Sequence, residues 1–376
     1  MDLFRSFTFI AQNFFFIAAG LIGINFLVGF HELGHFLFCK LFNIRTPTFS
    51  IGFGPILANK KIGTTNFALS AIPLGGYVEI AGAAEVGQGE QKEAHATDKN
   101  SFAKKPYYQK LLVMIGGILF NLIFAYFALT MLYWFGLPKT EFLYPRNAQP
   151  IISTIQENSP AAQAQLQPGD RLLAINDIQI NDDAYKAYKT IATMPGQAVA
   201  LKIQRDGQEI EIPATLDTKQ VSGTDMGSLG VTFEITGTPP TSLAQAIKQG
   251  FALTNAYIVN TAMAFKNIFV KRDVSKMGGP LMVISETIKA AGHSLPVFLF
   301  FLAIISINLA VLNLIPLPIL DGGQILFYTI EAIIGRPLPV KIREYIHIGS
   351  WVLIMGLILY LSAQDIYKII KSYMPS

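Results

Sequence analysis

Two histidines and a glutamate stand in an almost wholly apolar stretch, INFLVGFHELGHFLFCKLF, which runs from Ile24 to Phe42. His31 and His35 are four residues apart, so on a helix they project from one face, one turn apart. That spacing allows both imidazoles to bind one Zn²⁺ ion at about 2.0–2.1 Å. Glu32, the next residue along, reaches a water at such a metal and is a candidate general base. The stretch therefore predicts a metal site with a base beside it.

The apolar setting of these residues decides between this interpretation and a structural one. Ionisable side chains in an apolar span are costly, and by default they mark a functional site. The alternative is that His31, Glu32 and His35 hydrogen-bond inside a helix bundle, but a helix in lipid has cheaper ways to pack. The chain has 5 histidines, so a chance match to HExxH, the arrangement of zinc proteases, is rare. The motif favours a zinc cofactor and peptide-bond hydrolysis.

A third metal ligand has to come from elsewhere, because a catalytic zinc site takes three protein ligands and leaves one position open for water. Cys39 lies about 12 Å along the helix axis from His31, at 1.5 Å per residue, which is too far to share the ion. Asp321, in the apolar segment SINLAVLNLIPLPILDGGQILF, is the better candidate. An aspartate in so apolar a run needs a partner, and a cation is the obvious one.

The same segment contains two prolines and two asparagines. Pro316 and Pro318 interrupt the helix, which aims Asp321 into the bundle. Asn308 and Asn313 have two open roles: hydrogen bonding between helices, or holding the substrate backbone or an oxyanion beside the zinc. The remaining histidines have no supporting motif and are not assigned to the site: His95, His293 and His347.

The composition is that of a polytopic membrane protein with some soluble mass attached. Charged residues make up only 14% and hydrophobic residues 51%, whereas soluble domains carry about a quarter charged residues. A bilayer core of about 30 Å needs roughly 20 apolar residues, and four segments qualify: 9–42, 111–135, 296–314 and 347–361. A fifth segment, 251–270, has a polar face and is predicted to be amphipathic and surface-lying. The net charge of +4, without a basic stripe, argues against a nucleic-acid partner.

Lysine and arginine gather between the first and second and between the third and fourth helices, so both loops are predicted to be cytoplasmic. The first loop, FSIGFGPILANKKIGTTNFALSAIPLGGYVEIAG, reads as short strands broken by glycines, a hairpin region of the kind tolerated at membrane depth against protein. Residues 149–234 show short alternating strands and an Asp206–Gly207 turn, which predict a soluble domain outside the cytoplasm.

At this point the motifs resemble those of the site-2 protease family of intramembrane zinc metalloproteases. HELGH in the first helix and NLxPLPxLDGG near the end of the third are similar to that family's motifs. FSIGFGP and PLGGYV resemble the membrane-embedded β-hairpin region of its bacterial members, and SPAAQAQLQPGDRLLAIND resembles their extracytoplasmic PDZ domain. MGGP at residues 277–280 resembles a segment preceding their third helix. The resemblance covers nearly the whole chain in the same order.

The resemblance implies a role for six residues: zinc ligands His31, His35 and Asp321, the general base Glu32, and Asn313 in substrate positioning with Asn308 behind it. It implies a multi-pass enzyme of the bacterial inner membrane, embedded in the lipid bilayer. The implied substrates are single-pass transmembrane proteins already trimmed outside, such as anti-sigma factors and signal-peptide remnants. The departures are a single PDZ-like domain, where some relatives have two, and Gln324 after LDGG, where histidine is common.

The predicted fold class is a polytopic α-helical membrane protein of about four transmembrane helices, with a membrane-embedded β-hairpin region and one inserted α+β PDZ-like domain. The predicted boundaries are 1–136 for the first membrane part, 137–235 for the PDZ-like domain, 236–295 for an amphipathic membrane-surface segment, and 296–376 for the second membrane part.

Two rival functions stay open. A membrane zinc transporter would not need Glu32 or the PDZ-like domain. A non-catalytic membrane-anchored PDZ scaffold would not need His31, Glu32 or His35.

Overall fold

The computed structural model describes residues 2–83, 93, 96–221, 224–271 and 278–373 of the 376-residue chain. His95 and Met277, which entered the sequence predictions, lie outside these described residues. The chain divides into two compact units, one made of Met1–Thr130 and Gln249–Ser376 and the other of Met131–Lys248. The second unit contains the whole of the segment that the sequence predicts to be the PDZ-like domain, residues 137–235.

Helices dominate the first unit and strands the second. In chain order, the α-helices of the described residues are α1 (Asp2–Leu41), α2 (Tyr107–Phe135), α3 (Pro160–Gln163), α4 (Ala184–Ala192), α5 (Leu243–Lys271), α6 (Pro280–His293), α7 (Leu295–Asn313), α8 (Asp321–Ile334) and α9 (Val340–Tyr373). The strands are β1 (Thr48–Ile62), β2 (Thr65–Val78), β3 (Ala148–Ile155), β4 (Arg171–Ile175), β5 (Ile178–Gln179), β6 (Ala198–Arg205), β7 (Gln208–Thr215), β8 (Asp217–Val221), β9 (Thr224–Ser228) and β10 (Val231–Ile235).

Four helices among the described residues are long and apolar enough to cross a bilayer: Phe14–Leu41, Tyr107–Phe135, Leu295–Asn313 and Lys341–Lys368. They confirm the four segments predicted from the sequence. The third differs in detail, because α7 ends at Asn313 and the chain then turns before α8 begins at Asp321. Pro316 and Pro318 lie in that connection rather than inside a helix, as expected of residues without a backbone N–H. The predicted amphipathic segment 251–270 is part of the longer helix α5.

The first loop forms one long antiparallel hairpin rather than the several short strands that its glycines suggested. Strands β1 and β2 contain 15 and 14 residues and pair with repeated register shifts. Three glycines inside the strands have positive φ angles: Gly52 at 88°, Gly54 at 82° and Gly75 at 129°. Because glycine adopts such angles without strain, these residues bend the strands and shift their register instead of ending them.

Glycines also bring α1 and α2 into backbone contact. A Cβ atom on Gly34 would collide with the carbonyl group of Gly116, and one on Gly116 would lie 2.8 Å from the carbonyl oxygen of Gly34. Small residues of this kind let membrane helices approach closely. The Ser306 hydroxyl of α7 donates to the backbone carbonyl of Asn121 in α2 at 2.9 Å. Helix α2 therefore contacts both α1 and α7.

The second unit is built on an antiparallel sheet with strand order β10-β3-β4-β6-β7, and β5 pairs with β4. Leu172, Ile175, Leu201 and Ile203 of its central strands β4 and β6 are buried in one apolar core. Two local features begin a helix and form a turn in this unit, and the second is the turn predicted from the sequence. Ser159 begins α3 by accepting a hydrogen bond from the Ala162 N–H. Asp206 and Gly207, both with positive φ, form the turn between β6 and β7.

A buried ion pair stabilises this sheet. Asp170, which is 1% exposed, accepts hydrogen bonds at 2.7 Å from both Nε and Nη2 of Arg205 and one at 2.8 Å from the Gln167 N–H. Burial alone raises the pKa of the Asp170 carboxyl, but these hydrogen bonds and the nearby guanidinium charge outweigh it and hold the pKa below its usual range. Asp170 therefore stabilises the unit as a fully paired carboxylate.

Candidate metal centre

The first unit brings His31, His35 and Asp321 together. The two histidines lie one turn apart on α1, and Asp321 is the first residue of α8. The Nε2 atoms of the histidines are 3.1 Å apart. Asp321 Oδ2 lies 3.3 Å from His31 Nε2, and Asp321 Oδ1 lies 3.5 Å from His35 Nε2. Among the described residues, these three form the one cluster of His, Cys, Asp or Glu side chains with the spacing of a metal site.

The two glycines after Asp321 allow the chain to place its carboxylate beside His31 and His35. A Cβ on Gly322 would lie 2.5 Å from the carbonyl oxygen of Leu314, and one on Gly323 would collide with the backbone of Leu317. The connection between α7 and α8 therefore folds back onto the start of α8, which only glycine permits at this spacing. Asp321 sits at the first turn of α8, where the helix dipole favours a negative side chain.

The donor set suits zinc in chemistry and in spacing. Two imidazole nitrogens and one carboxylate oxygen are ordinary ligands of a catalytic zinc site. Ligand distances of 2.0–2.1 Å in a tetrahedral arrangement require donor atoms about 3.3–3.4 Å apart. The two Nε2 atoms are 3.1 Å apart, each lies 3.3 or 3.5 Å from one of the two Asp321 oxygens, and one donor atom from each residue lies within 4.8 Å of the others. Asp321 Oδ2 is also buried and makes no well-directed hydrogen bond within the described residues. Such an oxygen is costly unless it has a partner, and a cation provides one.

Helix α2 supplies a partner for the outer nitrogen of each imidazole. His35 Nδ1 lies 2.8 Å from the carbonyl oxygen of Val113, which can only accept, so this nitrogen carries the proton. His31 Nδ1 lies 3.1 Å from the side-chain nitrogen of Asn121. The partner of one ring nitrogen decides whether the other is free to bind a metal. Both rings consequently turn Nε2 toward Asp321.

Gly117 of α2 provides the space in which the two rings meet. A Cβ at this position would collide with His35 Nε2 and would lie 2.5 Å from His31 Cε1 and 2.7 Å from His31 Nε2. Any side chain at residue 117 would therefore displace the imidazoles. The glycine keeps a hollow open at the point where the nitrogen atoms converge.

Glu32 lies in the wall of the same cavity, which has a volume of about 340 Å³ and is also lined by His31, His35 and Asp321. Its Oε2 atom accepts a hydrogen bond from the backbone N–H of Val78 on β2 at 3.1 Å. The hairpin thus fixes the carboxylate beside the cluster. Six further residues of the wall come from five different elements: Phe53, Asn121, Asn313, Gln324, His347 and Trp351.

The structure separates the two asparagines that the sequence treated together. Asn313 lines the cavity. Asn308 does not, and its Oδ1 atom accepts a hydrogen bond from the Thr261 hydroxyl of α5 at 2.9 Å. Its contact is therefore the interhelical one that the sequence left open. His347, which the sequence left unassigned, belongs to the cavity wall, with Nε2 at 3.4 Å from the Gln324 side-chain nitrogen.

Comparison with known proteins gives one family across nearly the whole chain. The model of Peptidase family M50 matches residues 19–357. The Campylobacter jejuni protein named "Putative zinc metalloprotease Cj1068" is 32% identical over 365 residues, which cover 94% of both chains. The Arabidopsis thaliana protein "Membrane metalloprotease ARASP, chloroplastic" is 30% identical over 89% of this chain and 75% of its own. The PDZ domain of an SdrC-like protein from Listeria monocytogenes covers 23% of this chain and 87% of its own, with 17% identity and a TM-score of 0.20. That value is too low to identify the fold of the second unit.

Proposed function

The chain belongs to Peptidase family M50, and on that basis we propose that it is an intramembrane zinc metalloprotease. In this proposal it hydrolyses peptide bonds in or near the transmembrane segments of single-pass membrane proteins. The observation that carries it is the convergence of three donor atoms, from His31, His35 and Asp321, in a cavity that Glu32 also lines. These residues belong to the unit that contains the long apolar helices.

Each member of the cluster has a distinct task in the proposed reaction. His31, His35 and Asp321 would hold the zinc ion, which when bound would supply Lewis-acid activation of a water molecule and of a carbonyl group. Glu32 takes the proton from the attacking water and passes it to the leaving amine. Its Oε2 atom accepts the Val78 N–H, which holds the carboxylate beside the three ligand residues.

A transmembrane substrate must unwind before it reacts, because an intact helix keeps its carbonyl groups in hydrogen bonds. The β1–β2 hairpin contributes Phe53 and Gly76 to the cavity wall, and it exposes apolar side chains such as Leu57 and Leu69. We propose that this hairpin lies at membrane depth and receives the unwound substrate as an added strand. The apolar exposure is what supports this placement.

The second unit holds no part of the donor cluster, so we propose that it selects substrates rather than acting on them. It would lie outside the cytoplasm of a bacterium, because lysines and arginines gather in the two other loops. There it would act as a PDZ-like filter. Substrates already trimmed outside, such as anti-sigma factors and signal-peptide remnants, would pass it.

Reconstitution in lipid vesicles tests the function directly. The purified protein should cleave a model single-pass substrate, lose this activity when a chelator removes its metal, and regain it when zinc is added back. The same vesicles, loaded with a zinc-sensitive dye, measure zinc flux. Flux without cleavage would identify a transporter, and neither activity would identify a scaffold.

A further inference from the structure

Asn121 is completely buried in α2, and its side chain touches one of the proposed zinc ligands. Its Nδ2 atom lies 3.1 Å from His31 Nδ1, whereas its Oδ1 atom is buried and has no hydrogen-bond partner among the described residues. A buried amide oxygen left in this state costs stability. The two ends of an asparagine amide have nearly the same shape, so turning the amide by 180° exchanges them at almost no steric cost.

The two orientations of this amide impose opposite tautomers on His31. If Nδ2 faces the ring, it donates to a lone pair on Nδ1, so the proton of a neutral imidazole must reside on Nε2. Nε2 is the nitrogen that faces Asp321 and His35, and in its protonated form it cannot bind a metal. If Oδ1 faces the ring, it accepts the Nδ1–H group and leaves the Nε2 lone pair free. The unpartnered oxygen then has its hydrogen bond, and Nδ2 takes its place at the wall of the cavity that Asn121 lines.

We propose that Asn121 is a positioning residue of the metal centre: its Oδ1 atom accepts the Nδ1–H of His31 and so fixes the ring in the tautomer that binds zinc through Nε2. The proposal rests on the proposed zinc-protease function and assigns a residue outside its ligand set. His35 is held in the same tautomer by the carbonyl oxygen of Val113. Helix α2 thus orients both imidazoles, one through its backbone and one through a replaceable side chain.

The replaceable side chain makes the proposal testable through metal affinity. Asn121→Leu keeps the branching and the number of side-chain heavy atoms and removes the acceptor, so zinc should bind about 10–100-fold more weakly, the usual cost of losing a partner behind a metal ligand. Asn121→Asp presents an acceptor in either orientation and should bind zinc at least as tightly as the natural protein. Ser306→Ala is the matched control, because Ser306 is also buried and its hydroxyl donates to the backbone carbonyl of Asn121 rather than to the side chain. Its zinc affinity should stay within about threefold of the natural value.

The measurement is competition for zinc between a chromogenic chelator and the purified full chain, with thermal unfolding recorded for zinc-loaded and zinc-free protein. A positioning role predicts that Asn121→Leu lowers the unfolding temperature mainly in the zinc-loaded form. Equal loss of affinity in the Leu and Asp variants would mean that the amide N–H group matters rather than the acceptor, and it would overturn the proposal. Natural affinity in the Leu variant would overturn it as well. If the unaltered protein bound no zinc, the metal centre itself would be wrong, which is a distinguishable outcome.

Discussion

Two carboxylates, Asp170 in the second unit and Asp321 in the first, have opposite surroundings; Asp170 is buried and Asp321 is partly buried. Asp170 in the second unit receives three hydrogen bonds from Arg205 and the Gln167 N–H. Asp321 in the first unit faces two imidazoles, and one of its oxygens has no well-directed hydrogen bond in the described part of the chain. A complete set of partners indicates a structural role. An incomplete set among convergent donors indicates a place for a ligand.

The largest expected effect is the loss of a metal ligand. Asp321→Ala, His31→Ala and His35→Ala should each abolish both zinc binding and peptide cleavage, because two ligands cannot hold a catalytic zinc. Cys39→Ala is the control, since Cys39 lies on the same helix but is buried in a separate apolar cluster. Zinc content of purified protein and cleavage of one model substrate are the two measurements. An Asp321→Ala protein with full zinc content and full activity would show that Asp321 is not the third ligand.

Glu32→Gln should separate metal binding from proton transfer. The substitution keeps the size of the side chain and removes the base, so zinc content should stay unchanged. Turnover should fall by about 10²–10⁴, the usual contribution of a general base. The loss should appear in kcat, because the glutamine still lies in the cavity wall. A normal rate of cleavage in this variant would disprove the assigned mechanism.

Gly117→Ala tests whether the hollow at the imidazoles belongs to the site. The added methyl group would meet His35 Nε2 and His31 Nε2, so we expect zinc affinity to fall at least tenfold, at the low end of what disturbing a ligand's surroundings costs. Gly349→Ala is the control, because a Cβ there meets no atom within 4 Å. The comparison requires chelator competition on both variants and the unfolding temperature of each without zinc. Unchanged affinity in Gly117→Ala would show that the rings do not have to occupy their present positions.

These variants also mark the limit of what the sequence alone predicts. The spacing of His31 and His35 is a local property of one helix, and the apolar lengths of the four spans are local as well. Asp321 was found because its charge is out of place in an apolar run. The structure brings these residues together, while their roles as ligands stay predictions. Local patterns of spacing, apolar length and charge therefore predict the candidate residues and the helices that carry them.

What the sequence did not predict depends on how elements pack. Gly117 and Asn121 matter because α2 passes directly behind the imidazoles, and no periodicity encodes that approach. A single amide in the apolar run of α2 was the available signal for Asn121. His347 lies on α9 and lines the cavity, although it is far along the chain from HELGH. The glycines of the first loop led to a wrong prediction of several short strands. Their positive φ angles allow β1 and β2 to continue through them.

The smallest effect is expected at Asp170, where every hydrogen bond is already made. Its pKa is held below the usual range in the folded chain, so the carboxylate stabilises the second unit above the unfolded pKa of about 3.9. This stabilisation is lost as the pH falls through the folded value. Asp170→Asn should cost about 1–3 kcal/mol at pH 7, as expected for hydrogen bonds to a charged group, and should remove this part of the pH dependence.

Hydrogen–deuterium exchange of peptides from β4 and β6 in the full chain measures this cost, after correction for the intrinsic effect of pH on exchange. Glu209→Gln is the control, because Glu209 forms an exposed ion pair with Lys202, and exposed pairs contribute little. Zinc content should be the same in all these proteins, since Asp170 belongs to a separate compact unit from the donor cluster. If Asp170→Asn instead lowered zinc content while exchange in β4 and β6 stayed unchanged, the distinction between Asp170 as a structural carboxylate and Asp321 as a metal ligand would be wrong.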